Sequence, residues 1–232
     1  MTMLKYRKNV YSQNGEDGIL EEVIKQLNIQ NGTFVEFGAW DGKYLSNTYY
    51  FYEKFNFSGV YIECDSEKFK ELKKLCDSSN NKLYAINSIV SEKGESSLDF
   101  LLNKTELPYD FDILSIDIDG NDYMVWKALN NYKPKIVIIE ANSSIPNDIE
   151  YVGGEIIESD RSIVEGSSCL SLLKLGIEKG YNLICHTGNM IFVRNDLINK
   201  CNLITDEEKN NPECLFLNSW KRPWNKELSK WQ

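Results

Sequence analysis

Apolar runs rich in β-branched residues alternate along this chain with amphipathic segments of helical periodicity. The runs at 111–117 and 136–140 are apolar almost throughout, which is typical of strands covered on both faces. Strand–helix alternation predicts an α/β fold with a doubly wound, mostly parallel sheet. The predicted strands cover 33–36, 60–63, 83–87, 111–117 and 136–140, and the predicted helices cover 17–27, 47–54, 66–76, 122–129 and 168–179.

The alternation ends with two apolar runs that follow each other closely. Runs 181–186 and 190–194 are separated by only Thr187, Gly188 and Asn189. A parallel connection needs a crossover of a dozen or more residues, so these runs must form an antiparallel hairpin. The predicted sheet is therefore Rossmann-like, with seven strands and a C-terminal hairpin.

The length of the chain favours a single domain. At 232 residues it is long enough for one α/β domain with a full core and rather short for two. We expect this domain to span 1–232, with its core over about 11–195. The polar segment 142–166 is expected to form a lid loop over the active edge, and 196–232 a C-terminal extension.

Charge and cysteine usage restrict the partners and the location. The formal charge of −9 disfavours nucleic acid, because binding to a phosphate backbone needs a basic surface. Six cysteines occur without a C-x-x-C pair, which argues against a zinc site or a disulfide scaffold. The basic start leads into no apolar stretch, and no run reaches the roughly 20 apolar residues of a membrane span. We expect a soluble, cytoplasmic protein that does not bind membranes.

The segment 33–42, Thr-Phe-Val-Glu-Phe-Gly-Ala-Trp-Asp-Gly, indicates a cofactor site. Glu36 precedes two glycines, Gly38 and Gly42, that lie four residues apart. This spacing differs from the G-x-G-x-x-G of dinucleotide-binding proteins, whose pyrophosphate disfavours a nearby acid. A cationic ligand tolerates the carboxylate. S-adenosylmethionine fits this pattern, because it carries an ammonium group and a sulfonium group and no phosphate.

Ligands of a doubly wound sheet bind beyond the carboxyl ends of its strands. Glu63 follows Glu36 by one strand–helix–strand unit, where its carboxylate would accept from the two hydroxyls of an adenosine ribose. Asn87, Ser88 and Ile89 are expected beside the adenine ring. The polar residues expected at this edge are Glu36, Glu63, Asn87, Asp117, Glu140 and His186.

Five short motifs along the chain support this cofactor assignment. They are Ser12-Gln13-Asn14-Gly15-Glu16-Asp17, Val35-Glu36-Phe37-Gly38 with Asp41-Gly42, Ser46-Asn47-Thr48, Gly59-Val60-Tyr61-Ile62-Glu63, and Ser115-Ile116-Asp117-Ile118-Asp119-Gly120. Together they resemble the FkbM-type methyltransferases over roughly 11–194. The resemblance implies the class I methyltransferase fold, with S-adenosylmethionine as methyl donor for hydroxyls of sugars or natural products.

The resemblance also implies roles for individual residues. Gln13, Glu36, Gly38 and Asn47 would bind the methionine end of the cofactor, with Asp41 in the same turn. Glu63 would bind the ribose, and Asn87 and Ser88 would lie near the adenine.

The acidic segment that starts at Asp117 has three interpretations. As a calcium loop it fails, because its glycine is at the fourth position and no acid closes the loop at the twelfth. As an Asp-x-Asp metal clamp, Asp117 and Asp119 would indicate a glycosyltransferase. As the active edge of a methyltransferase, the same two residues would act as general base or, with Glu140 and Asn142, would hold Mg²⁺.

The segment departs from the family pattern, since many members carry Asp-x-Glu-Gly where Asp119 stands here. A structural alternative is that Asp119 and Asp122 cap the following helix. We expect capping for Asp122 and a catalytic role for Asp117, while Asp119 stays open. His186, the single histidine, is a further candidate base, because it ends a predicted strand at the active edge.

These features predict an S-adenosylmethionine-dependent O-methyltransferase acting on a small-molecule hydroxyl. The acceptor would be a sugar, a nucleotide sugar or a glycan, and Mg²⁺ is a further candidate cofactor. One alternative is a metal-dependent glycosyltransferase that uses Asp117 and Asp119. Another is a non-catalytic, methyltransferase-like assembly module, with the aromatic tail of Trp220, Trp224 and Trp231 as its contact. A homo-oligomer is compatible with each of these functions.

Overall fold

Seven strands form one sheet in the computed structural model, which describes residues 2–118, 120–153, 166–198 and 200–217. The strands are β1 (Thr33–Phe37), β2 (Ser58–Glu63), β3 (Leu83–Asn87), β4 (Ile113–Ile116), β5 (Ile136–Glu140), β6 (Tyr181–His186) and β7 (Asn189–Arg194). Their order across the sheet is β3-β2-β1-β4-β5-β7-β6. Strands β1 to β5 are parallel, and β7 is antiparallel to both β5 and β6. The predicted doubly wound sheet with a C-terminal hairpin is confirmed.

The helices connect and cover these strands. The five predicted helices lie within two residues of their expected bounds. Three further helices, α4, α7 and α8, were not predicted, because five or fewer residues are too few to show a helical period. The described helices are α1 (Glu16–Gln26), α2 (Tyr49–Phe55), α3 (Ser66–Asp77), α4 (Leu98–Leu102), α5 (Asp122–Ala128), α6 (Cys169–Glu178), α7 (Asn195–Ile198) and α8 (Asp206–Asn210).

Two apolar clusters cover the two faces of the sheet. Side chains alternate along β1, so that Val35 and Phe37 belong to one cluster and Phe34 to the other. Helices α4, α5 and α6 contribute to the first cluster, and α1, α2 and α3 to the second. The apolar face predicted for α1, which includes Ile19 and Val23, is buried in the second cluster. None of the described helices is both long and apolar enough to cross a bilayer.

The strand register places four polar or glycine positions side by side. Phe37 pairs with Ile62 and Ile116, and Ile116 pairs in turn with Ile139. The residue that follows each of these four lies at the carboxyl edge of the sheet. These edge residues are Gly38, Glu63, Asp117 and Glu140.

Two expected segments lie partly outside the described residues. Within the predicted lid, residues 154–165 are not described. Gly153, which precedes them, donates from its N–H to Ser167 Oγ at 3.1 Å. Within the predicted C-terminal extension, 218–232 is not described, and this part contains the three tail tryptophans. The described part of the extension returns to the sheet, since the Leu217 N–H donates to the carbonyl oxygen of His186 at 2.9 Å.

Candidate functional site

The turn after β1 brings the backbone of Gly38 against the end of β4. Gly38 has a φ of +72°, and a Cβ atom added to it would lie 1.7 Å from the carbonyl oxygen of Asp117. Only glycine fits, because an L side chain would be strained at this φ and would overlap the oxygen. The fold itself therefore requires this glycine, and its contact with a cofactor stays a prediction.

Glu36, near the end of β1, holds the loop that precedes α2. Its carboxylate is buried and accepts from Ser46 Oγ at 2.6 Å, from the Asn47 N–H at 3.0 Å and from Thr48 Oγ1. Burial raises the pKa of this carboxyl group, and the hydrogen bonds oppose that shift. Glu36 thereby positions Asn47, whose side chain donates to Ser115 Oγ at 3.1 Å.

Glu63 ends β2 and orients the glycine turn from the neighbouring strand. One carboxylate oxygen accepts from the Trp40 N–H at 2.8 Å, and the other accepts from the Asp65 N–H at 2.8 Å. A carboxylate oxygen has two lone pairs, so both oxygens retain the capacity to accept from a ligand. The side chain is buried yet lines a cavity, which is the geometry expected of a fixed ligand-binding carboxylate.

Two fully buried carboxylates hold the segment ahead of α1. Oδ2 of Asp17 accepts from the N–H groups of residues 10–12 at 2.7 to 2.9 Å. Glu16 accepts from the Asn14 N–H at 2.7 Å and from Thr187 Oγ1, in the β6–β7 loop, at 2.8 Å. Glu16 therefore joins the segment ahead of α1 to the β6–β7 loop, although Glu16 and Thr187 are 171 residues apart in sequence.

A cavity of about 370 Å³, which we call the turn cavity, opens beside Gly38. Five of the eight expected cofactor-binding residues line it, namely Gln13, Glu36, Gly38, Asn47 and Glu63. Lys68 is the one cationic side chain among its described lining residues. The other lining residues are Ala39, Trp40, Tyr44, Leu45, Cys64, Asp117, Ile118 and Glu140.

A second cavity of about 380 Å³, which we call the hairpin cavity, lies against the β6–β7 loop. Both cavities have volumes in the range of small-molecule binding sites. Both cavities are lined by Gln13, Leu45, Asn47, Asp117 and Glu140, so they adjoin each other. The further lining residues are Asn14, Ala141, Asn142, Ser143, Ser144, Gly166, Gly188 and Asn189.

Three expected cofactor ligands do not line either cavity. The Asp41 carboxylate accepts from the N–H groups of Lys43 and Tyr44 at 2.9 and 2.7 Å, and thus stabilises its own turn. The Asn87 side chain donates to the carbonyl oxygen of Glu63 at 2.7 Å. Ser88 Oγ donates to the carbonyl oxygen of the next residue at 2.8 Å. For these residues the direct cofactor contact stays a prediction, and the bonds described show only that these polar atoms serve local backbone geometry.

The position of His186 argues against the prediction that it is a general base. Its imidazole has no exposed surface, lines neither cavity and stacks on Phe216 with ring centroids 4.7 Å apart. Nδ1 accepts from the Gly188 N–H at 3.2 Å, and Nε2 lies 3.1 Å from Cys169 Sγ. Burial lowers the pKa of His186 to about 4, so the ring is neutral in the folded protein near pH 7. A base must touch its substrate, and this side chain borders neither cavity.

The acidic segment after β4 is described apart from Asp119, so the expectations for that residue lie outside the described part. The capping expected of Asp122 is wrong. Its carboxylate accepts from the N–H groups of Ile118 and Gly120 at 2.9 and 3.0 Å, ahead of the helix. Asp122 thus fixes the loop that follows Asp117 at the sheet edge.

The residues expected to hold Mg²⁺ share one cavity. Asp117, Glu140 and Asn142 all line the hairpin cavity. However, no group of three His, Cys, Asp or Glu side chains suited to a metal ion occurs among the described residues. Asn142 Oδ1 also accepts from the Ser144 N–H at 2.9 Å. The structure gives the Mg²⁺ prediction no support.

Sequence reasoning missed an aromatic and a cationic residue of the turn cavity. Trp40 is 48% exposed, and Lys68 Nζ lies 3.7 Å from the centroid of its ring. The position of Trp40 between Gly38 and Gly42 is a sequence signal that could have been used, because turns lie at the surface, where a large ring stays partly exposed. Lys68, on the first turn of α3, gives no such signal.

The chain is similar in fold to solved methyltransferase structures. The N-terminal domain of EvdMO1, solved in the presence of SAH and D-fucose, has 11% sequence identity and a TM-score of 0.50. The match covers 81% of this chain and 84% of that chain. An S-adenosylmethionine-dependent methyltransferase from Clostridium acetobutylicum ATCC 824 has 12% identity over 80% of this chain and 93% of that chain, with a TM-score of 0.48.

At such low identity, structural likeness shows the fold. The class I methyltransferase fold is therefore confirmed. No protein-family model matches the sequence, and a search of curated proteins finds no match.

Proposed function

We propose that this protein is an S-adenosylmethionine-dependent O-methyltransferase of the FkbM type. The observation that supports this most directly is the placement of Glu63. Its buried carboxylate borders the turn cavity, and both its oxygens are fixed by backbone N–H groups at 2.8 Å. A carboxylate fixed in this way suits the two hydroxyls of a ribose.

The chemistry of the turn cavity fits the cofactor. Four carboxylates border it, those of Glu36, Glu63, Asp117 and Glu140, and its one described cation stacks over the Trp40 ring. Such a cavity favours a ligand with ammonium and sulfonium charges over a phosphate ligand. When bound, S-adenosylmethionine supplies an electrophilic methyl group.

The residues of this chain would bind and orient the reactants. Glu63 would accept from the ribose, and Gln13 and Asn47 would contact the methionine end. Glu36 would act through Asn47, which it holds by the main-chain N–H. Asp117 lines both cavities, and is therefore our candidate for taking the proton from an acceptor hydroxyl in the hairpin cavity. Positioning of the hydroxyl in line with the methyl group would supply most of the remaining rate enhancement.

A sugar, nucleotide sugar or glycan is the proposed acceptor class. The motifs that resemble FkbM-type enzymes support this class, as does the D-fucose present in the EvdMO1 domain structure. The requirement for Mg²⁺ stays a prediction, and adding EDTA to an activity assay tests it. Binding of a nucleotide sugar with a divalent metal, without binding of S-adenosylmethionine, would instead support a glycosyltransferase.

Substitution Glu63→Ala tests the cofactor assignment. It removes hydrogen bonds to a charged acceptor, which contribute about 1.5 to 3 kcal/mol, so the Kd for S-adenosylmethionine should rise roughly 10- to 150-fold. Equilibrium dialysis with the radiolabelled cofactor measures this change.

The matched control is Glu67→Ala. Glu67 is an exposed acid in the first turn of α3, paired with Lys70 at 2.7 Å, and it lines neither cavity. This variant should bind like the wild type. Unchanged affinity in the Glu63 variant would refute the ribose assignment.

A further inference from the structure

A further cavity, which we call the amino-edge cavity, opens at the edge of the sheet opposite to Gly38. Its volume is about 480 Å³, and residues at the start of β1, β2 and β3 line it. It shares no described lining residue with the turn cavity or the hairpin cavity. Ligands of a doubly wound sheet bind beyond the carboxyl ends of its strands, so binding of a cofactor and an acceptor there does not account for this cavity.

The other wall of the amino-edge cavity is the segment 104–108, between α4 and β4. Thr105 Oγ1 donates to the carbonyl oxygen of Leu102 at 2.7 Å and accepts from the Leu107 N–H at 3.3 Å. The Leu107 side chain packs against the first apolar cluster. The wall is therefore held both by its own hydrogen bonds and by the core, which makes the cavity a preformed one.

Part of the lining is apolar and aromatic. Tyr84 lies on β3, the strand at the edge of the sheet, and is 55% exposed. Val60, Leu107 and Pro108 line the same cavity. An exposed aromatic side chain beside apolar cavity residues suits a ligand with a planar ring, because two rings pack closely and remove apolar surface from water.

The charged side chains of the cavity are two lysines and one glutamate, Lys82, Lys104 and Glu106. Lys82 Nζ donates to Oδ1 of Asn56, and Lys104 Nζ lies 4.3 Å from the centroid of the Phe100 ring. None of the three charged groups forms an ion pair with another residue that the structure describes. Together they carry one positive charge. This balance suits a ligand with a single negative charge, whereas a polyphosphate would meet the like charge of Glu106.

We propose that the amino-edge cavity is a second ligand-binding site, which takes a small aromatic molecule carrying one carboxylate. Lys82 and Lys104 donate to the carboxylate, and such charge-assisted hydrogen bonds are the strong ones. Tyr84 packs against the ring. The site does not depend on the proposed function, because the cofactor and the acceptor would bind at the opposite edge of the sheet.

Three probes test this site by ligand-observed NMR, with and without saturating S-adenosylhomocysteine. They are 2-naphthoate, 2-naphthamide, which keeps the ring and the shape without the charge, and acetate, which keeps the charge without the ring. We expect 2-naphthoate to bind at least about tenfold more tightly than 2-naphthamide, because the amide cannot form charge-assisted hydrogen bonds as an anion. Acetate should bind more weakly than 2-naphthoate. Saturation with S-adenosylhomocysteine should change none of these affinities.

Variants separate the contribution of charge from that of the ring. Lys104→Gln should weaken binding of 2-naphthoate about fivefold and leave that of 2-naphthamide unchanged. Tyr84→Leu should weaken both probes to a similar extent, and Glu106→Gln should strengthen binding of 2-naphthoate by removing a like charge. The matched control is Lys174→Gln, at an exposed lysine of α6 that lines none of the three cavities, and it should bind like the wild type.

Four outcomes would overturn the proposal. Two of them are no binding of 2-naphthoate and equal affinities for 2-naphthoate and 2-naphthamide. The third is wild-type affinity for 2-naphthoate in both Lys82→Gln and Lys104→Gln. The fourth is displacement of 2-naphthoate by S-adenosylhomocysteine, because the probe would then occupy the opposite edge of the sheet. Failure of S-adenosylhomocysteine to bind would bear on the proposed function alone.

Discussion

Buried carboxylates decide the shape of the site at the level of single residues. Glu16 is fully buried, and its two oxygens accept from Asn14 on one loop and Thr187 on another. Asn14 lines the hairpin cavity, and so do Gly188 and Asn189, which follow Thr187. Glu16 itself lines neither cavity. We therefore regard it as a positioning residue that sets the distance between the loop of Asn14 and the β6–β7 loop.

Substitution Glu16→Gln should weaken binding of S-adenosylhomocysteine. The amide can accept through only one of its two terminal atoms, so the bond from either Asn14 or Thr187 is lost. We expect the neighbouring Gln13, which lines both cavities, to shift as a result. Loss of one such bond corresponds to about 1 kcal/mol, or a Kd roughly fivefold higher. Calorimetric titration measures the affinity, and thermal unfolding measures the stability.

The control is Asp112→Asn. Asp112 is also buried and accepts from the Thr33 N–H at 2.7 Å and from Lys135 Nζ at 2.6 Å, just ahead of β4 at the opposite edge of the sheet. This variant should unfold at a lower temperature with unchanged affinity. If Glu16→Gln behaved in the same way, the carboxylate would be structural only.

His186 should make the stability of the protein depend on pH. Its pKa is about 4 in the folded state, because of burial, and its ordinary value is 6.5. The unfolded chain therefore binds a proton more readily between these values, so the contribution is present above pH 6.5 and is lost as the pH falls to 4. The loss amounts to about 3 kcal/mol of unfolding free energy, measured by urea unfolding of wild type and His186→Gln.

Subtracting the stability of His186→Gln from that of the wild type at each pH cancels the contributions of the other titrating groups. Glu36 has a pKa raised by burial, so its contribution runs in the opposite direction, but it is present in both proteins. The Cys169 thiol beside the imidazole has a pKa raised to about 12 by burial, and stays neutral over this range. A difference between the two stabilities that did not change between pH 7 and pH 4 would contradict the buried, neutral histidine.

The sequence predicted the location of single residues only where that location follows from local sequence alone. Gly38 and Glu63 lie at strand ends, which apolar runs locate well, and both face the turn cavity. His186 also ends a strand, yet the returning segment at Phe216 covers it, and no pattern in the sequence reports such a long-range contact. The side-chain amide of Asn87 donates a hydrogen bond to the end of the neighbouring strand, and such a contact depends on a rotamer that the sequence does not show.

At the scale of elements, the approach of the β1 turn to β4 builds the site. Gly38→Ala should destabilise the protein by about 3 kcal/mol or more, because its Cβ would overlap a backbone oxygen that cannot move without shifting β4. It should also abolish cofactor binding, since the turn lines the cavity. Urea unfolding and dialysis with the labelled cofactor measure the two effects.

Gly94→Ala is the matched control for this change. Its φ of +71° is close to the +72° of Gly38, but an added Cβ would meet nothing within 4 Å. The loss should be limited to the strain of the left-handed conformation, about 1 kcal/mol. Equal losses in the two variants would contradict the close approach between the turn and β4.

The larger strands and helices could be predicted from the sequence, because each has an apolar pattern that is long and repeated. Strands β3, β5 and β6 have the expected bounds, and the hairpin followed from a connection too short for a crossover. The β6–β7 loop is shorter than expected, since Asn189 pairs with Glu140 and so belongs to β7. Pairing across the sheet, which local sequence does not encode, decided that boundary.

At the scale of the whole molecule, the sheet brings distant segments to one edge. The two adjoining cavities draw on the N-terminal loop, on the ends of β1, β4 and β5, and on the β6–β7 hairpin. The sequence predicted this edge from the order of the elements. It could not predict the division into two cavities, because that depends on how Glu16, Glu36 and Asp122 hold the loops.

The central claim is that this edge binds a sulfonium cofactor and not a phosphate nucleotide. Calorimetric titration of the wild-type protein with S-adenosylhomocysteine and, separately, with ATP tests it directly. We predict saturable binding of one S-adenosylhomocysteine per chain and no binding of ATP, whose phosphates would meet the acids of the turn cavity. Absence of binding by S-adenosylhomocysteine at millimolar concentration, or tighter binding by ATP, would contradict the account.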